Sequence, residues 1–209
     1  KVKHIVIDDQ FPDISNGWGC ESFQREKIFD GLNDALPDDY IMYSDSDEIP
    51  NPKKLENFIL KNKYGIFMQK FFVYKLNIFN SYETPWEGSR ICKRKDLRTF
   101  TYLRKKILKK NISKPFWKFN IEKKIDIINE GGWHFNNLYP IEIISKKLKV
   151  FPHKEFAAEK FSNIAVIEKK ISNLEDLFER GHKYQKEIID ESYPEFILKN
   201  KEQYKDYIL

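Results

Sequence analysis

The sequence predicts an α/β fold, with a mostly parallel sheet flanked by helices and a helical C-terminal portion. Two patterns predict it. Short apolar runs alternate with helical spacing in the first part of the chain, whereas the later part is mainly helical in pattern. The chain has 209 residues, 41% of them hydrophobic, so it can bury one substantial core, and we expect residues 1–209 to form a single domain.

The elements of the first half follow in a clear order. The apolar run at residues 4–9 predicts a buried strand, and the spacing of apolar residues at 21–36 predicts a helix. Residues 40–43 predict a second strand, followed by a loop and then a helix over 51–62. The density of aromatic and β-branched residues at 64–79 predicts a pair of strands, and a last helix is expected over 195–209.

A cluster of carboxylates follows the second predicted strand. Asp45, Asp47 and Glu48 belong to this segment, which we call the acidic loop, and Asn51 with Pro52 provides a helix start just beyond it. Ligands of open α/β sheets bind beyond the carboxyl ends of the strands, where this loop is expected. Two aspartates separated by one residue can hold a hard divalent cation beside a phosphate, although a solvated acidic turn has the same sequence. The strand and helix on either side favour the metal site.

The charge and cysteine content of the sequence indicate in which compartment the protein is expected and which partners it requires. The formal net charge is +5 with both signs well represented, which does not require nucleic acid as a partner. Cys20 and Cys92 lack partners at the spacing of a metal knuckle or a disulfide framework, so we expect a cytoplasmic protein, without a membrane span. Residues 104–124 are rich in Lys and Arg with aromatic residues between them, and a solvated surface is favoured there over a site for nucleic acid or an anionic surface.

Several blocks occur along the chain in an order that resembles a known family. They are Gln24-Arg25-Glu26, Gly31-Leu32, Asp38-Asp39-Tyr40-Ile41, Ser44-Asp45-Ser46-Asp47-Glu48-Ile49-Pro50, Gly131-Gly132-Trp133-His134-Phe135, His153-Lys154-Glu155, Asp176-Leu177-Phe178-Glu179-Arg180 and Tyr193-Pro194. Together they resemble glycosyltransferase family 17, which includes the β-1,4-mannosyl-glycoprotein β-1,4-N-acetylglucosaminyltransferases. The resemblance covers nearly the whole chain and implies a GT-A-like fold.

The resemblance implies an inverting enzyme that moves N-acetylglucosamine, or a related sugar, from a UDP-sugar donor to a hydroxyl of a glycan or glycoconjugate acceptor. It implies a divalent metal, Mn²⁺ or Mg²⁺, at Asp45 and Asp47, with Asp45 also near the donor diphosphate. His134 is the expected third metal ligand, and His153 is the second choice. Members of the family have strands before the one at residues 4–9 that hold uracil and ribose, so we expect the first strands of the fold to be missing.

Inverting transfer needs a carboxylate that takes the proton of the acceptor hydroxyl. Glu130, Glu87 and Glu83 are the candidates, and we favour Glu130 because it precedes a Gly-Gly turn. Trp86 and Trp133 are candidate platforms for sugar rings, although packing in the core accounts for them equally well.

Cationic side chains near the acidic loop are candidates for the donor diphosphate. Arg25, Lys146 and Lys147 are the residues we expect in this role, because guanidinium and ammonium groups bind oxyanions. Two other functions remain open at this stage. One is a Mg²⁺-dependent phosphoesterase or nuclease that uses the carboxylates of the acidic loop, and the other is a non-catalytic sugar-binding module.

Overall fold

A computed structural model describes residues 2–13, 17–150 and 158–209. The strands are β1 (Tyr40–Tyr43), β2 (Glu48–Pro50), β3 (Tyr64–Val73), β4 (Ile78–Phe79), β5 (Trp86–Lys93), β6 (Ile125–Asn136) and β7 (Gln185–Lys186). The α-helices are α1 (Gly17–Glu26), α2 (Phe100–Lys106), α3 (Ile141–Val150), α4 (Glu159–Ser162), α5 (Ile164–Ser172) and α6 (Glu195–Lys199). Turns of 3₁₀-helix occupy Lys27–Gly31, Pro52–Lys54, Arg94–Asp96, Lys109–Asn111 and Lys201–Tyr207.

The long strand β3 is the centre of a mixed sheet. It pairs with β6 in parallel along one edge, from Tyr64 opposite Ile125 to Val73 opposite Asn136. Along its other edge it pairs with β5 and then β4, both antiparallel. The sheet continues from β5 to β1, from β6 to β2 and from β4 to β7. Because β1 and β3 are both antiparallel to β5, the strands β1, β3 and β6 point the same way.

The predicted α/β class is confirmed in its coarse form, as a mixed sheet with flanking helices, but the sheet is mostly antiparallel. Among the described residues, five of the six strand pairings are antiparallel, and β3 with β6 is the parallel one. The reason lies in residues 64–93, where three strands follow one another through short connections. Short connections reverse the chain, whereas parallel neighbours need a long crossover.

Other predicted elements differ in extent. The strand at 40–43 is confirmed, and α1 with the turn after it covers much of the predicted helix at 21–36. Residues 4–9 form no strand; Ile5 and Ile7 are half-buried beside α1 while Val6 is exposed, so the alternation belongs to an extended surface segment. The helix predicted over 51–62 shrinks to one 3₁₀ turn.

Apolar packing covers both faces of the sheet. One cluster joins β1 and β3 to α2 through Phe100 and Leu103, and a second joins β3 to α3 and α5 through Ile144 and Ile167. A third, around Phe72, packs against the C-terminal segment that contains α6. Each fully buried side chain of this size stabilises the fold by roughly 1.5–3 kcal/mol. None of the helices in the described part of the chain combines the length and apolar character that a bilayer crossing requires.

A bulge in β6 places the strand end that leads to the site. The pairing with β3 shifts between Phe67 and Gln69, and within this bulge Glu130 has φ of 53° and Gly132 has φ of 140°. A Cβ on Gly132 would lie 2.0 Å from the carbonyl oxygen of Ile49, so β2 approaches β6 to a distance that only glycine permits. The bulge then presents His134 directly opposite Glu48 of β2.

We expect Gly132→Ala to lower the free energy of unfolding by roughly 3 kcal/mol or more, because a steric clash adds to an unfavourable φ. Gly181→Ala is the matched control: its φ is also positive, at 78°, but nothing lies within 4 Å of the added Cβ. Its expected loss is about 1–2 kcal/mol. Urea unfolding followed by circular dichroism measures both, and equal losses would contradict a close approach of β2 to β6.

Candidate functional site

A cleft of about 800 Å³ opens at the edge of the sheet where β1 and β6 end. The acidic loop leaves β1 and forms its floor, and His134 and Asn136 reach it from the end of β6. Each of the helices α1, α2 and α3 contributes one cationic side chain to the lining. These side chains are Arg25 of α1, Arg104 of α2 and Lys147 of α3. This edge is where an α/β sheet usually binds its ligand.

Asp47 and His134 form the pair at the centre of the cleft. Nε2 of His134 lies 3.2 Å from Oδ2 of Asp47, and the backbone N–H of Phe135 donates to the carbonyl oxygen of Asp47 at 2.9 Å. Burial opposes the ionisation of Asp47, but the hydrogen bond and charge of His134 outweigh it, so the pKa of Asp47 is lowered. The His134 side chain is buried, and its Nδ1 has no hydrogen-bond partner within the described residues.

Asp45 faces a different set of partners. Its carboxylate accepts a hydrogen bond from the hydroxyl of Tyr43 and is 2.7 Å from a guanidinium nitrogen of Arg104. Tyr43 in turn accepts from Nε of Arg25 at 2.8 Å. Burial and the bond to Asp45 raise the pKa of Tyr43 to about 12, which keeps it a neutral donor.

Glu48 has a structural role in the loop. Its side chain is fully buried, and Oε1 accepts from the indole N–H of Trp86 at 2.9 Å and from Arg104 at 2.9 Å. The guanidinium of Arg104 also lies over the Trp86 ring at 5.8 Å. Glu48 therefore fastens the acidic loop to α2 and β5 and is not exposed to a ligand.

The Asp47–His134 pair fits part of a metal site. Two ligand atoms about 2.1 Å from one cation and at right angles are about 3.0 Å apart, close to the separation in this pair. Within the described residues, no group of three or more His, Cys, Asp or Glu residues could hold a metal. Mg²⁺ usually takes one or two carboxylates and completes its shell with phosphate oxygens and water. Asp47 and His134 suit a site of that kind, and His153 lies outside the described residues.

Of the three residues predicted to bind the donor diphosphate, two line the cleft and one does not. Arg25 is buried and lines the cleft, and its Nη1 atom lacks a hydrogen-bond partner among the residues described. Lys147 also lines the cleft, where burial lowers its pKa and the charge of Asp47 acts in the opposite direction. Lys146 is exposed and does not line the cleft. Arg104 also lines the cleft. The sequence indicated only that a basic segment begins at this residue, and no local pattern predicted a role for it in the site.

The two favoured bases and one tryptophan lie away from the cleft. Glu130 is exposed and pairs with Lys54 at 3.0 Å. The carboxylate of Glu87 accepts from the backbone N–H of Lys109 at 3.0 Å. Trp133 is buried in the C-terminal cluster, which leaves Trp86 as the tryptophan of the pair that lines the cleft.

A second cavity of about 120 Å³, which we call the inner pocket, shares Trp86, His134 and Asn136 with the cleft. Glu83, the third candidate base, lies in its wall, and its Oε1 accepts from Arg180 at 2.9 Å. The sequence offered Glu83 as a candidate base without favouring it over Glu130.

An ion pair between the buried Asp176 and the partly exposed Arg180 supports the wall of the inner pocket. Asp176 accepts from Nε and Nη2 of Arg180, each at 2.9 Å, and from the hydroxyl of Tyr184 at 2.9 Å. Burial opposes the ionisation of Asp176, but these partners dominate and lower its pKa to about 2. The guanidinium is thereby fixed between Asp176 and Glu83.

No family model matches the chain, and neither a curated protein nor a solved structure matches it. The resemblance to glycosyltransferase family 17 therefore rests on the ordered sequence blocks. The geometry of the cleft and its cations is the structural basis for a functional proposal.

We expect Asp176→Asn to flatten the dependence of stability on pH. The pKa of an aspartate in the unfolded chain is near 3.9, whereas that of Asp176 in the folded protein is about 2. The ionised group therefore stabilises the fold fully above about pH 5, by roughly 2–3 kcal/mol, and this stabilisation is lost as the pH falls to 2. Urea unfolding between pH 2 and pH 6 measures the slope. Asp30→Asn, at an exposed position, is the control and should keep the slope of the parent. An unchanged slope in Asp176→Asn would contradict the ion pair.

Proposed function

We propose that this chain is an inverting glycosyltransferase that moves N-acetylglucosamine, or a related sugar, from a UDP-sugar to a glycan hydroxyl with the help of Mn²⁺ or Mg²⁺. The observation that supports it most is the Asp47–His134 pair in a cleft to which α1, α2 and α3 each contribute a cation. The sequence blocks that resemble glycosyltransferase family 17 include this pair and most of the cleft floor. Under the proposal the cleft takes the donor.

The charges of the cleft suit a sugar diphosphate. Nη1 of Arg25 is buried without a hydrogen-bond partner among the described residues, and Arg25 lines the cleft. Lys147 lines the same cleft and interacts electrostatically with Asp47. Guanidinium groups bind phosphate oxygens in pairs of hydrogen bonds, and such bonds strengthen where water is excluded. Positive charge on both sides of the acidic loop would hold the diphosphate over Asp47.

The residues of the chain have separate tasks in this reaction. Asp47 and His134 would hold the divalent cation, which supplies charge neutralisation for the departing diphosphate when it is bound. Tyr43 and Arg104 would keep Asp45 oriented at the end of β1. Attack of the acceptor hydroxyl on the anomeric carbon from the side opposite the diphosphate accounts for inversion.

The alternative phosphoesterase or nuclease has less support. It would need Asp45, Asp47 and Glu48 together on one or two Mg²⁺ ions. Glu48 is fully buried against Arg104 and Trp86, and Asp45 is committed to Arg104, so the three carboxylates do not face a common point. A non-catalytic sugar-binding module would keep the cleft but show no turnover.

We expect UDP-N-acetylglucosamine to bind in the presence of Mn²⁺ and Asp47→Ala to weaken that binding by about a hundredfold, because one of two protein ligands of the cation is lost. Titration calorimetry on the full-length protein, with Mn²⁺ and then with EDTA, gives the dissociation constants. EDTA should reduce the parent to the level of the variant.

Asp38→Ala is the control for the loss of a carboxylate, since Asp38 pairs with Lys93 and Lys95 at the surface, outside the cleft lining. It should bind the donor as the parent does. Failure of the full-length protein to bind the nucleotide sugar with either metal would refute the proposal. Binding without any transfer or hydrolysis would point instead to a sugar-binding module.

A further inference from the structure

We propose that the inner pocket binds the hydroxyl-bearing ring of the acceptor sugar and that Glu83 takes the proton of the attacking hydroxyl. The base role rests on the proposed glycosyl transfer, whereas the binding of a sugar ring does not. The pocket has room for about four water molecules at roughly 30 Å³ each, which suits the polar edge of one ring.

Asn80 provides the first reason. Its side chain is fully buried, and its Oδ1 accepts from the backbone N–H groups of Tyr82 and Glu83 at 3.1 and 3.3 Å. Since the oxygen is fixed by these two donors, the amide nitrogen must point elsewhere. This Nδ2 atom is buried and without a partner in the part of the chain that is described. A buried donor without an acceptor is costly and rare, and a ligand oxygen would satisfy it.

His134 provides a second unsatisfied atom in the same wall. Its Nε2 is directed to Asp47, and its Nδ1 is buried with no partner among the described residues. Whichever ring nitrogen carries the proton, a sugar hydroxyl can satisfy Nδ1, because a hydroxyl both donates and accepts. Two buried polar atoms without partners that line one pocket therefore indicate a ligand rich in hydroxyl groups.

Glu83 and Arg180 supply the remaining polar contacts. The carboxylate of Glu83 uses Oε1 for Arg180, and no described residue bonds to Oε2. Arg180 is itself held by Asp176 through two contacts of 2.9 Å, so the carboxylate is oriented rather than free to rotate. Sugar hydroxyls both donate and accept, and the Trp86 ring offers the apolar surface that a pyranose face prefers.

The shared wall places this carboxylate next to the donor cleft. Trp86, His134 and Asn136 line both cavities. In the reaction, the acceptor oxygen forms a bond to the anomeric carbon, the bond from that carbon to the phosphate oxygen breaks, and UDP leaves with the electron pair. The hydroxyl proton passes to Oε2 of Glu83. Atoms and charge balance without a further reactant.

The test of the base is Glu83→Gln, which keeps the size of the side chain. General-base catalysis contributes roughly 10²–10⁴-fold, so transfer from UDP-N-acetylglucosamine to a panel of methyl glycosides should fall at least about a hundredfold, with donor binding unchanged. Glu168→Gln, an exposed carboxylate on α5, is the control. Donor binding with undiminished transfer in Glu83→Gln overturns the base role. Absence of donor binding in the parent overturns glycosyl transfer itself and the base role with it.

The test of the pocket uses Asn80→Asp in the absence of donor. This change keeps Oδ1 for the loop but replaces the donating amide by an oxygen. Saturation-transfer NMR with the methyl glycosides of mannose, galactose, glucose and N-acetylglucosamine should show binding to the parent and at least about tenfold weaker binding to the variant. Circular dichroism confirms the fold. Equal binding by both proteins, or no binding of any glycoside by the parent, overturns the pocket.

A different surface supports a second inference. Residues 109–124, which we call the basic tip, contain six lysines, no arginine and one acidic residue. Three large side chains project from it, with Phe116 78%, Trp117 62% and Phe119 87% exposed. We infer that the basic tip docks on an anionic lipid surface.

The composition of the tip decides between a membrane and a nucleic acid. Apolar rings insert at the boundary of headgroups and acyl chains, and lysines beside them are attracted to anionic lipids. Nucleic acids are read mainly by arginine, whose planar group matches phosphates and bases, and the tip has lysine alone. Three exposed rings in four residues form an apolar surface that water does not stabilise.

The test is sedimentation with vesicles of phosphatidylcholine alone or with 30% phosphatidylserine. The protein should bind the mixed vesicles, and the triple change of Phe116, Trp117 and Phe119 to Ala should lower the affinity by at least about tenfold. Phe196→Ala, at a residue that is 63% exposed elsewhere, is the control. Equal affinity in the triple variant, or binding of single-stranded RNA without binding of vesicles, overturns the inference.

Discussion

The buried carboxylate of Glu48 is the constraint on which the site depends. An ionised carboxylate inside a protein is costly unless charge and hydrogen bonds compensate it, and removal of one partner typically destabilises by 3–5 kcal/mol. Here Arg104 and Trp86 compensate it, each at 2.9 Å. They come from α2 and β5, so the acidic loop, a helix and a strand must assemble together. This group thereby fastens the end of the acidic loop to α2 and β5.

A division of labour between the two aspartates follows from it. Because Arg104 is held by Glu48, the same guanidinium stands beside Asp45, at 2.7 Å. Asp47 is left to face His134, which the β6 bulge brings opposite the loop. A site in which both aspartates share one cation would require Asp45 to leave its arginine. Under the proposed function, the cation would therefore be held by one carboxylate, one imidazole and oxygens from the ligand.

The sequence predicted the parts of the site that depend on neighbours along the chain. The strand at 40–43 and the loop after it were readable because apolar runs and acidic residues are local patterns, whereas His134 was singled out through the resemblance to glycosyltransferase family 17. The antiparallel sheet as a whole was not readable, because the pairings of β1 with β5 and of β2 with β6 join segments that are far apart in the sequence. Arg104 was missed as a site residue, and Glu83 was named only as one of three candidate bases, since each reaches its place through tertiary packing of α2 or of the Asn80 turn.

The wall between the two cavities links these observations. Trp86 is fixed through its indole N–H by Glu48, and its ring lies 4.9 Å from that of His134, which in turn lies 4.4 Å from Phe71. These closely packed rings form the wall that separates the cleft from the inner pocket. If a donor lies over Asp47 and an acceptor lies beside Glu83, the reacting atoms can meet only at the rim of this wall. Under the proposed function, the buried carboxylate that orders the acidic loop would thereby also set the distance between donor and acceptor.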